Sequence, residues 1–340
     1  MKAVKLAAFG AVMGLAVALS ACAPQPEAGA PQPEAGASED VIEIRLSHAL
    51  ETSHPQHAGA EKFAELVEEL TKGRVAVTVY PQAQLGGDEG LQESVSNNTI
   101  EMAVVGNTAA LQPSTALFRL PFLFEDDAHA FKVLDGELGA EVFAPLLEND
   151  IRVLAVYHNG FRQVTNSKRP LETVEDFAGL KLRVPGSDVY MNLFNALGTN
   201  PTPMDFTEVY TALEQGVIDG QENPLAVIVS NRLFEVQDYL AITNHMYTAA
   251  PLIINETFWQ GLDPELQELV LQAAEESRDF EREEFISAEG ENLQTLLDSG
   301  MEVTTLSQPE LQARAESVYG LFLEQFPESE DVLQAIRDAS

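Results

Sequence analysis

Residues 180–223 read LKLRVPGSDVYMNLFNALGTNPTPMDFTEVYTALEQGVIDGQEN, and this stretch says most about the fold. Its first five residues predict a short strand, which Pro185 and Gly186 end. The spacing of apolar residues then predicts two helices, at about 188–197 and 206–215. A strand followed by helices is typical of an α/β fold, and Arg183 falls at the carboxyl end of this strand.

The chain before and after this stretch predicts a second α/β unit and one long helix. Further strands are predicted at 41–47, 75–80, 100–105 and 151–157. Further helices are predicted at about 55–72, 88–97, 127–134, 138–149 and 264–297, with Asp88 as the N-cap of the second. The last residues predict one more short strand and one helix. The alternation of the first strands and helices favours a parallel sheet. Two α/β units in one chain indicate two lobes around a cleft, and ligands bind at the carboxyl ends of strands in such folds.

The distribution of charge predicts an anion site. The chain carries 19 Lys and Arg against 54 Asp and Glu, a net charge of −35, and such a surface repels nucleic acid. From Arg152 to Arg183, however, six cations face only three acids. Because the planar fork of arginine matches a carboxylate in bidentate geometry, this cluster favours a site for a small organic acid. A solvated basic face is the alternative interpretation.

Three blocks of sequence resemble a known family. They are VYPQAQLGGDEGLQ, GFRQVTNSKRPLETVEDFAGLKLRVP and the stretch quoted above. All three resemble the substrate-binding proteins of TRAP transporters, the tripartite ATP-independent uptake systems, and the resemblance runs from about Ile42 to the C-terminus. It implies a two-lobed, periplasmic-binding-protein-like α/β fold with the ligand cleft between the lobes and a long helix spanning both.

The same resemblance implies a function in transport. Proteins of this family bind a small organic acid and deliver it to a small and a large integral-membrane subunit. They need no cofactor and carry out no chemistry. We therefore expect a solute-binding protein for a carboxylate ligand, and not an enzyme.

The motifs of the resemblance imply which residues bind the carboxylate. Arg183 of LRVP matches the main carboxylate-binding arginine, and Arg162 of GFRQ matches a supporting arginine. Asn223 of GQENP matches an amide that contacts the same carboxylate, and Phe206 of TPMDF matches a ring that packs on the carbon chain of the ligand.

Three other residues are implied to line the variable side of the pocket, namely Asn107, Glu89 and His48. Hydrogen bonds from Asn107 and His48 suit hydroxyl groups, and a charged Glu89 would oppose a second carboxylate. The residues therefore favour a sugar acid or keto sugar acid over a C4-dicarboxylate, although both classes stay open.

The first 40 residues predict export and a tether. Two lysines precede an apolar stretch that is too short to span a bilayer, and Leu19-Ser20-Ala21-Cys22 resembles a lipoprotein signal in which Cys22 receives the lipid. Residues 24–37 repeat PQPEAGA twice, a composition that cannot build a core. We expect a signal peptide at 1–21, a lipidated linker at 22–40, and an extracytoplasmic monomer anchored to the membrane by its lipid. An ordinary secretory signal is the alternative.

The two lobes are expected to share the rest of the chain. The first lobe is predicted to contain residues 41–159 and about 248–290. The second is predicted to contain residues 160–247 and about 291–340. These boundaries follow from the two α/β units and from the long helix that joins them.

Other functions stay open on the sequence alone. His48, His54 and His57 could form the zinc site of a metal-binding lipoprotein, although their spacing does not match His-Glu-x-x-His. An acidic extracellular hydrolase could use paired carboxylates, but a chain with 54 acids contains such pairs by chance. The sequence has no Gly-x-Ser-x-Gly, Walker-type or Gly-x-Gly-x-x-Gly motif. A homo-oligomeric structural lipoprotein is a further alternative.

Overall fold

The computed structural model describes residues 41–339, which belong to one compact unit. The predicted signal peptide, the lipid site at Cys22 and the repeat linker lie outside the described residues. The strands are β1 (Ile42–Ser47), β2 (Val75–Tyr80), β3 (Met102–Val104), β4 (Ile151–Phe161), β5 (Gln163–Asn166), β6 (Lys181–Val184), β7 (Asn200–Pro203), β8 (Gly220–Asn223), β9 (Tyr239–Ile242), β10 (Tyr247–Asn255) and β11 (Glu302–Thr305). The helices are α1 (Pro55–Thr71), α2 (Asp88–Ser96), α3 (Asp127–Leu134), α4 (Glu137–Phe143), α5 (Asp188–Ala196), α6 (Val209–Glu214), α7 (Leu225–Ser230), α8 (Glu256–Gly261), α9 (Pro264–Asp298), α10 (Gln308–Gln325) and α11 (Glu330–Asp338).

The first lobe is built on a five-stranded sheet with the order β2-β1-β3-β10-β4. β1 pairs in parallel with β2 and β3, which confirms the predicted parallel arrangement of the first three strands. β10 is antiparallel to both of its neighbours, because the chain enters it from the second lobe. Every residue of β10 is buried, as expected for a strand covered on both faces.

The second lobe is built on a six-stranded sheet with the order β11-β9-β5-β8-β6-β7. β6 pairs in parallel with β7 and β8, and β5 is antiparallel to β8 and β9. The strand predicted at 180–184 is β6. The four-residue strands β5, β7 and β9 were not predicted, since they are too short to show a clear alternation of apolar and polar residues.

Three connections join the two lobes. The chain leaves the first sheet at the end of β4 and enters the second at β5, with Arg162 between them. It returns between β9 and β10. The third connection is α9, whose 35 residues extend about 50 Å. It packs against α1 and β4 in the first lobe and against α7 in the second, so the predicted long helix does span both lobes.

The C-terminal helices contact both lobes. α10 packs against α5, whereas α11 packs against α4. The hydroxyl of Tyr319 on α10 donates a hydrogen bond to the carbonyl of Pro121 at 2.7 Å, which ties this segment to the first lobe. The predicted assignment of residues 291–340 to the second lobe therefore omits these contacts, and the lobe boundaries stay a prediction.

Three local predictions differ from the structure. The helix predicted at 138–149 divides into α4 and a 3₁₀ turn, Ala144–Asn149, because Pro145 has no N–H for the α-helical ladder. The end of the chain forms two helices and not one, separated by a turn that begins at Pro327. The N-cap of α2 is Gly87, and the carboxylate of Asp88 accepts a hydrogen bond from the backbone N–H of Gly106 instead.

Among residues 41–339, no helix has the length and the apolar surface that crossing a membrane requires.

Candidate functional site

A cavity of about 80 Å³ lies where strand ends from both sheets meet. Its walls include five of the predicted site residues, which are Asn107, Arg162, Arg183, Phe206 and Asn223. Asn107 comes from the first lobe, and its side-chain amide lies 3.4 Å from the carbonyl of Gly186 in the second lobe. The two lobes are therefore in contact around the cavity.

Arg183 is a buried guanidinium without an ion-pair partner among the described residues. It lies in β6, only 4% exposed, and its Nε and Nη2 donate hydrogen bonds of 2.9 and 2.7 Å to the carbonyl of Met204. The guanidinium carbon is 5.8 Å from the centre of the Phe206 ring. Burial lowers the pKa of Arg183 to about 10. The group still carries its charge at neutral pH, so an anion in the cavity would supply the missing counter-charge.

Arg162 differs from Arg183 because it is neutralised within the protein. Its Nε and Nη2 form a bidentate ion pair with the carboxylate of Glu222, which is fully buried. Burial alone would lower the pKa of Arg162, but the charge of Glu222 raises it above its usual value. Nε2 of His245 lies 3.1 Å from Oε2 of this carboxylate, the oxygen that also accepts from Nε of Arg162. Arg162 therefore belongs to a charge-balanced cluster at the point where the chain crosses between the lobes.

Arg162 fixes the orientation of Asn223. Its Nη2 donates a 2.9 Å hydrogen bond to the side-chain oxygen of Asn223, so the amide nitrogen of Asn223 must point the other way. That nitrogen donates to Gln221 at 2.5 Å, and Gln221 donates to Thr165 at 3.0 Å. An amide nitrogen has two hydrogens, so one N–H of Asn223, a residue of the cavity wall, has no partner among the described residues.

The cavity also contains residues that the sequence analysis did not select. Arg119 lies at the end of the 3₁₀ helix Pro113–Arg119, is 6% exposed, and makes no ion pair within the described part of the chain. Its Nη1 donates to the hydroxyl of Tyr190 at 2.8 Å, and its Nη2 donates to the carbonyl of Gly106. The only signal in the sequence was a single cation within the apolar run ALFRLPFLF.

Asp88 is a second residue of the cavity wall that was not predicted from the sequence. Its carboxylate lines the cavity and accepts a 2.7 Å hydrogen bond from Gly106. Burial, with the charge of nearby Asp205, raises the pKa of Asp88 to about 6, although the Gly106 N–H and the charges of Arg119 and Arg183 act in the opposite direction. The signal available was the acidic pair DE at the start of α2.

Two of the predicted pocket residues lie outside the cavity wall. Glu89 is exposed at the rim, where one of its carboxylate oxygens would be 2.7 Å from a Cβ atom added to Gly186. His48 is fully buried behind the cavity, and the next residue, Ala49, lines it instead. His48 Nε2 is 3.1 Å from His57 Nδ1, and burial lowers the pKa of His48 to about 4.

The histidines do not form a metal site in the described structure. The Nδ1 atom of His54 accepts a hydrogen bond from the backbone of Gln56, where it caps α1. Residues 41–339 contain no group of three or more His, Cys, Asp or Glu side chains that could hold a metal ion. The geometry therefore lends no support to the zinc-binding alternative.

A larger groove of about 290 Å³ lies on the first lobe between α4 and α9. Its two arginines are both paired, Arg152 with Glu256 and Arg278 with Asp135 and Asp279. The cleft cavity, in contrast, contains two buried arginines, Arg119 and Arg183, that form no ion pair with any residue of the described range 41–339. On electrostatic grounds the cavity is the better candidate for an anion site.

Comparisons with known proteins identify the family. The family model described as bacterial extracellular solute-binding protein, family 7, matches residues 46–328. The chain is 36% identical over 301 residues to the 2,3-diketo-L-gulonate-binding periplasmic protein YiaO of Escherichia coli, covering 86% of this chain and 90% of that protein.

Solved structures resemble the fold over nearly their whole length. The sugar acid binding protein DctPAm from Advenella mimigardefordensis, in complex with galactonate, has a TM-score of 0.85 and 32% identity, with 88% of this chain and 100% of that chain covered. A TRAP periplasmic solute-binding protein from Sulfurospirillum deleyianum with bound succinate has a TM-score of 0.83 and 32% identity, with 88% and 99% covered. The chain therefore belongs to family 7 of the bacterial extracellular solute-binding proteins, the two-lobed solute-binding proteins of TRAP transporters.

Proposed function

We propose that the protein captures a small organic acid by holding its carboxylate between Arg183 and Asn223. The observation that carries this proposal is the buried, charged guanidinium of Arg183, which has no carboxylate partner in residues 41–339. Nε and one Nη of Arg183 are held by the carbonyl of Met204, so the guanidinium cannot turn freely. A guanidinium fixed in this way can bind a ligand carboxylate with little loss of side-chain entropy.

Arg162 has a positioning role in this proposal, and Phe206 forms an apolar wall. The ion pair with Glu222 neutralises Arg162, and the hydrogen bond from Arg162 points the N–H of Asn223 at the ligand. One Nη1 hydrogen of Arg162 bonds Thr248 at 3.0 Å, and the other is available to the same carboxylate. Phe206 packs beside Arg183 and would contact the carbon chain of the ligand.

The ligand class is a sugar acid, a keto sugar acid or a C4-dicarboxylate. YiaO is named for 2,3-diketo-L-gulonate, and the two solved structures contain galactonate and succinate. All these molecules have a carboxylate, which is the group that Arg183 and Asn223 would bind. Asn107, at the opposite lobe, adds an amide that can contact the rest of the ligand.

The proposal extends to delivery and to location. We infer that the loaded protein hands its ligand to the small and large membrane subunits of a TRAP transporter. Processing at Cys22 would leave a lipid-anchored, monomeric protein outside the cytoplasm, with residues 22–40 as the tether. Electrospray mass spectrometry of the purified protein tests the anchor, because a diacylated Cys22 adds the mass of the lipid and Cys22→Ser removes it.

Isothermal titration calorimetry with galactonate, glucuronate, succinate and the neutral sugar galactose tests the binding proposal. We expect at least one acid to bind with 1:1 stoichiometry and galactose to give no heat of binding. Arg183→Ala should abolish measurable binding of every acid, and recovery of the ligand unchanged by NMR would argue against the hydrolase alternative. Affinity for galactose alone, or near-native affinity of Arg183→Ala for an acid, would refute the proposed clamp.

A further inference from the structure

Gly106, two residues after the end of β3, binds an acidic and a basic side chain that lie next to each other in the cavity wall. Its N–H donates a 2.7 Å hydrogen bond to one carboxylate oxygen of Asp88, and its carbonyl accepts a hydrogen bond from Nη2 of Arg119. Asp88 and Arg119 both line the cavity. The two peptide units that flank Gly106 thus hold the carboxylate of Asp88, an acceptor, and the guanidinium of Arg119, a donor. Both groups belong to the first lobe and lie across the cleft from Arg183.

These two groups retain hydrogen-bonding capacity on the cavity side. The second carboxylate oxygen of Asp88 has no hydrogen-bond partner among the described residues. Arg119 uses two of its five N–H groups, on Gly106 and on the hydroxyl of Tyr190. Neither group forms an ion pair in residues 41–339, so each can bind a ligand.

Two buried amides lie in the same wall. Asn159 is 6% exposed, and its side-chain oxygen is buried without a hydrogen-bond partner. Gln56 is 2% exposed, and its side chain makes no hydrogen bond to the described residues. A buried amide oxygen without a partner, as in Asn159, costs free energy in the ligand-free protein, so it points to a polar group of a ligand.

The combination of an acceptor, a donor and two amides matches hydroxyl groups. A hydroxyl both donates and accepts, so it can donate to Asp88 while it accepts from Arg119. A second carboxylate could accept from Arg119, but it has no hydrogen to donate, so it would leave Asp88 without a donor and would face the charge of Asp88. An unsubstituted alkyl chain would leave Asp88, Arg119 and Asn159 all without partners.

We propose that Asp88, Arg119, Asn159 and Gln56 form a hydroxyl-binding cluster, and that the ligand is therefore a polyhydroxy monocarboxylate and not an unsubstituted dicarboxylate. The inference rests on the proposed function, in which Arg183 binds the one carboxylate. Arg183 on the second lobe and the hydroxyl-binding cluster on the first would then contact opposite parts of one ligand.

Calorimetric titration of the purified protein with matched ligands tests the inference. Galactonate and hexanoate have the same six carbons and differ in the hydroxyl groups, and succinate has the second carboxylate. We expect galactonate or another sugar acid from the panel to bind at least 100-fold more tightly than hexanoate or succinate. Tighter binding of succinate than of every sugar acid would overturn the inference and would leave the carboxylate clamp intact.

Variants separate the hydroxyl-binding cluster from the carboxylate clamp. Asp88→Asn keeps an oxygen for the Gly106 N–H but loses the charge, and we expect it to weaken sugar-acid binding at least tenfold. Arg119→Lys should have a similar effect, and circular dichroism checks that both variants fold. Glu93→Gln, at an exposed position of the same helix that does not line the cavity, is the matched control and should leave the affinity unchanged.

The failure of the inference differs from the failure of the proposed function. If acids bind and need Arg183, while Asp88→Asn and Arg119→Lys both bind sugar acids as the unaltered protein does, the hydroxyl-binding cluster is wrong. If no acid binds the unaltered protein, the proposed function and the inference fall together.

Discussion

Replacing Arg183 with methionine should abolish ligand binding and, at the same time, stabilise the ligand-free protein. Burial lowers the pKa of Arg183 from its usual value to about 10, because the guanidinium has been moved out of water without a counter-ion. A methionine of similar length fills the same space and has no charge to desolvate. Binding and stability are therefore expected to change in opposite directions.

The size of the stability change follows from the contacts of Arg183. A pKa shift of this size corresponds to about 3 kcal/mol of unfavourable free energy for the charged form. The substitution also removes the hydrogen bonds from Nε and Nη2 to Met204, which contribute about 2 kcal/mol together because they share one carbonyl oxygen. The net gain is about 1 kcal/mol, or about 2 °C in the unfolding midpoint of a protein of this size.

The size of the binding loss follows from the clamp. Two charge-assisted hydrogen bonds to a carboxylate contribute about 1.5–3 kcal/mol each. Their loss should weaken binding by roughly 10² to 10⁴-fold. Differential scanning calorimetry of the ligand-free protein and titration calorimetry with the best ligand of the acid panel measure the two effects.

Arg162→Met is the matched comparison. Arg162 is buried to the same degree as Arg183, but its removal leaves the carboxylate of Glu222 without its main partner. Breaking a buried ion pair in this way costs about 3–5 kcal/mol, so the unfolding midpoint should fall by roughly 6 °C or more. If the unfolding midpoint of Arg183→Met fell by a similar amount, Arg183 would be a residue that supports the fold. If Arg183→Met bound the acid within threefold of the affinity of the unaltered protein, the proposed clamp would be wrong.

Three further predictions concern pH, the backbone and salt. Burial raises the pKa of Glu281 to about 8, so between pH 5 and 8 the folded state holds a proton that the unfolded state has released. The free energy of unfolding should therefore fall by up to about 1.4 kcal/mol per pH unit in this range. Glu281→Gln should make the unfolding midpoint less dependent on pH, and the same dependence in the variant would contradict this assignment. Gly160→Ala should lower the free energy of unfolding, measured in urea, by about 1–2 kcal/mol, because φ is +87° and the added Cβ would lie 2.9 Å from Phe285. Gly290→Ala, at an open position of α9, should raise it by about 0.5–1 kcal/mol. The net charge of −35 should slow the approach of an anionic ligand, so stopped-flow association should become faster with added salt, and slower association would contradict this electrostatic argument.

The sequence predicted the long elements well and the short, polar ones poorly. α9 has few helix breakers and the first strands show an alternation of apolar residues, and both were found close to their observed bounds. β8 reads Gly-Gln-Glu-Asn and is buried at every position, yet none of its residues favours a strand. Its side chains are polar because they carry the hydrogen-bond network behind the cavity, so a pattern based on hydrophobicity could not identify this strand.

The missed site residues have equally physical explanations. The resemblance selected Glu89, but successive residues of a helix point about 100° apart, so the neighbouring Asp88 faces the cavity while Glu89 faces solvent. His48 and Ala49, which follow β1, are also neighbours with different surroundings, since His48 is fully buried and Ala49 lines the cavity. Arg119 is 64 positions from Arg183 and lies outside the cationic stretch, so only the fold brings the two into one cavity.

The positions of these charges explain why a ligand should close the lobes. Arg119 belongs to the first lobe and Arg183 to the second, and both are buried in the cavity without ion pairs among the described residues. Closing an empty cleft therefore removes two cations from water and brings them towards each other, which is unfavourable. An anion between the two arginines pairs with both of them, and this offsets their loss of hydration and their mutual repulsion. The hydrogen bond from Arg119 to the hydroxyl of Tyr190 also joins the two lobes. A charged ligand should therefore favour closure, and we expect an uncharged analogue of the same shape to shift the population of the closed state much less.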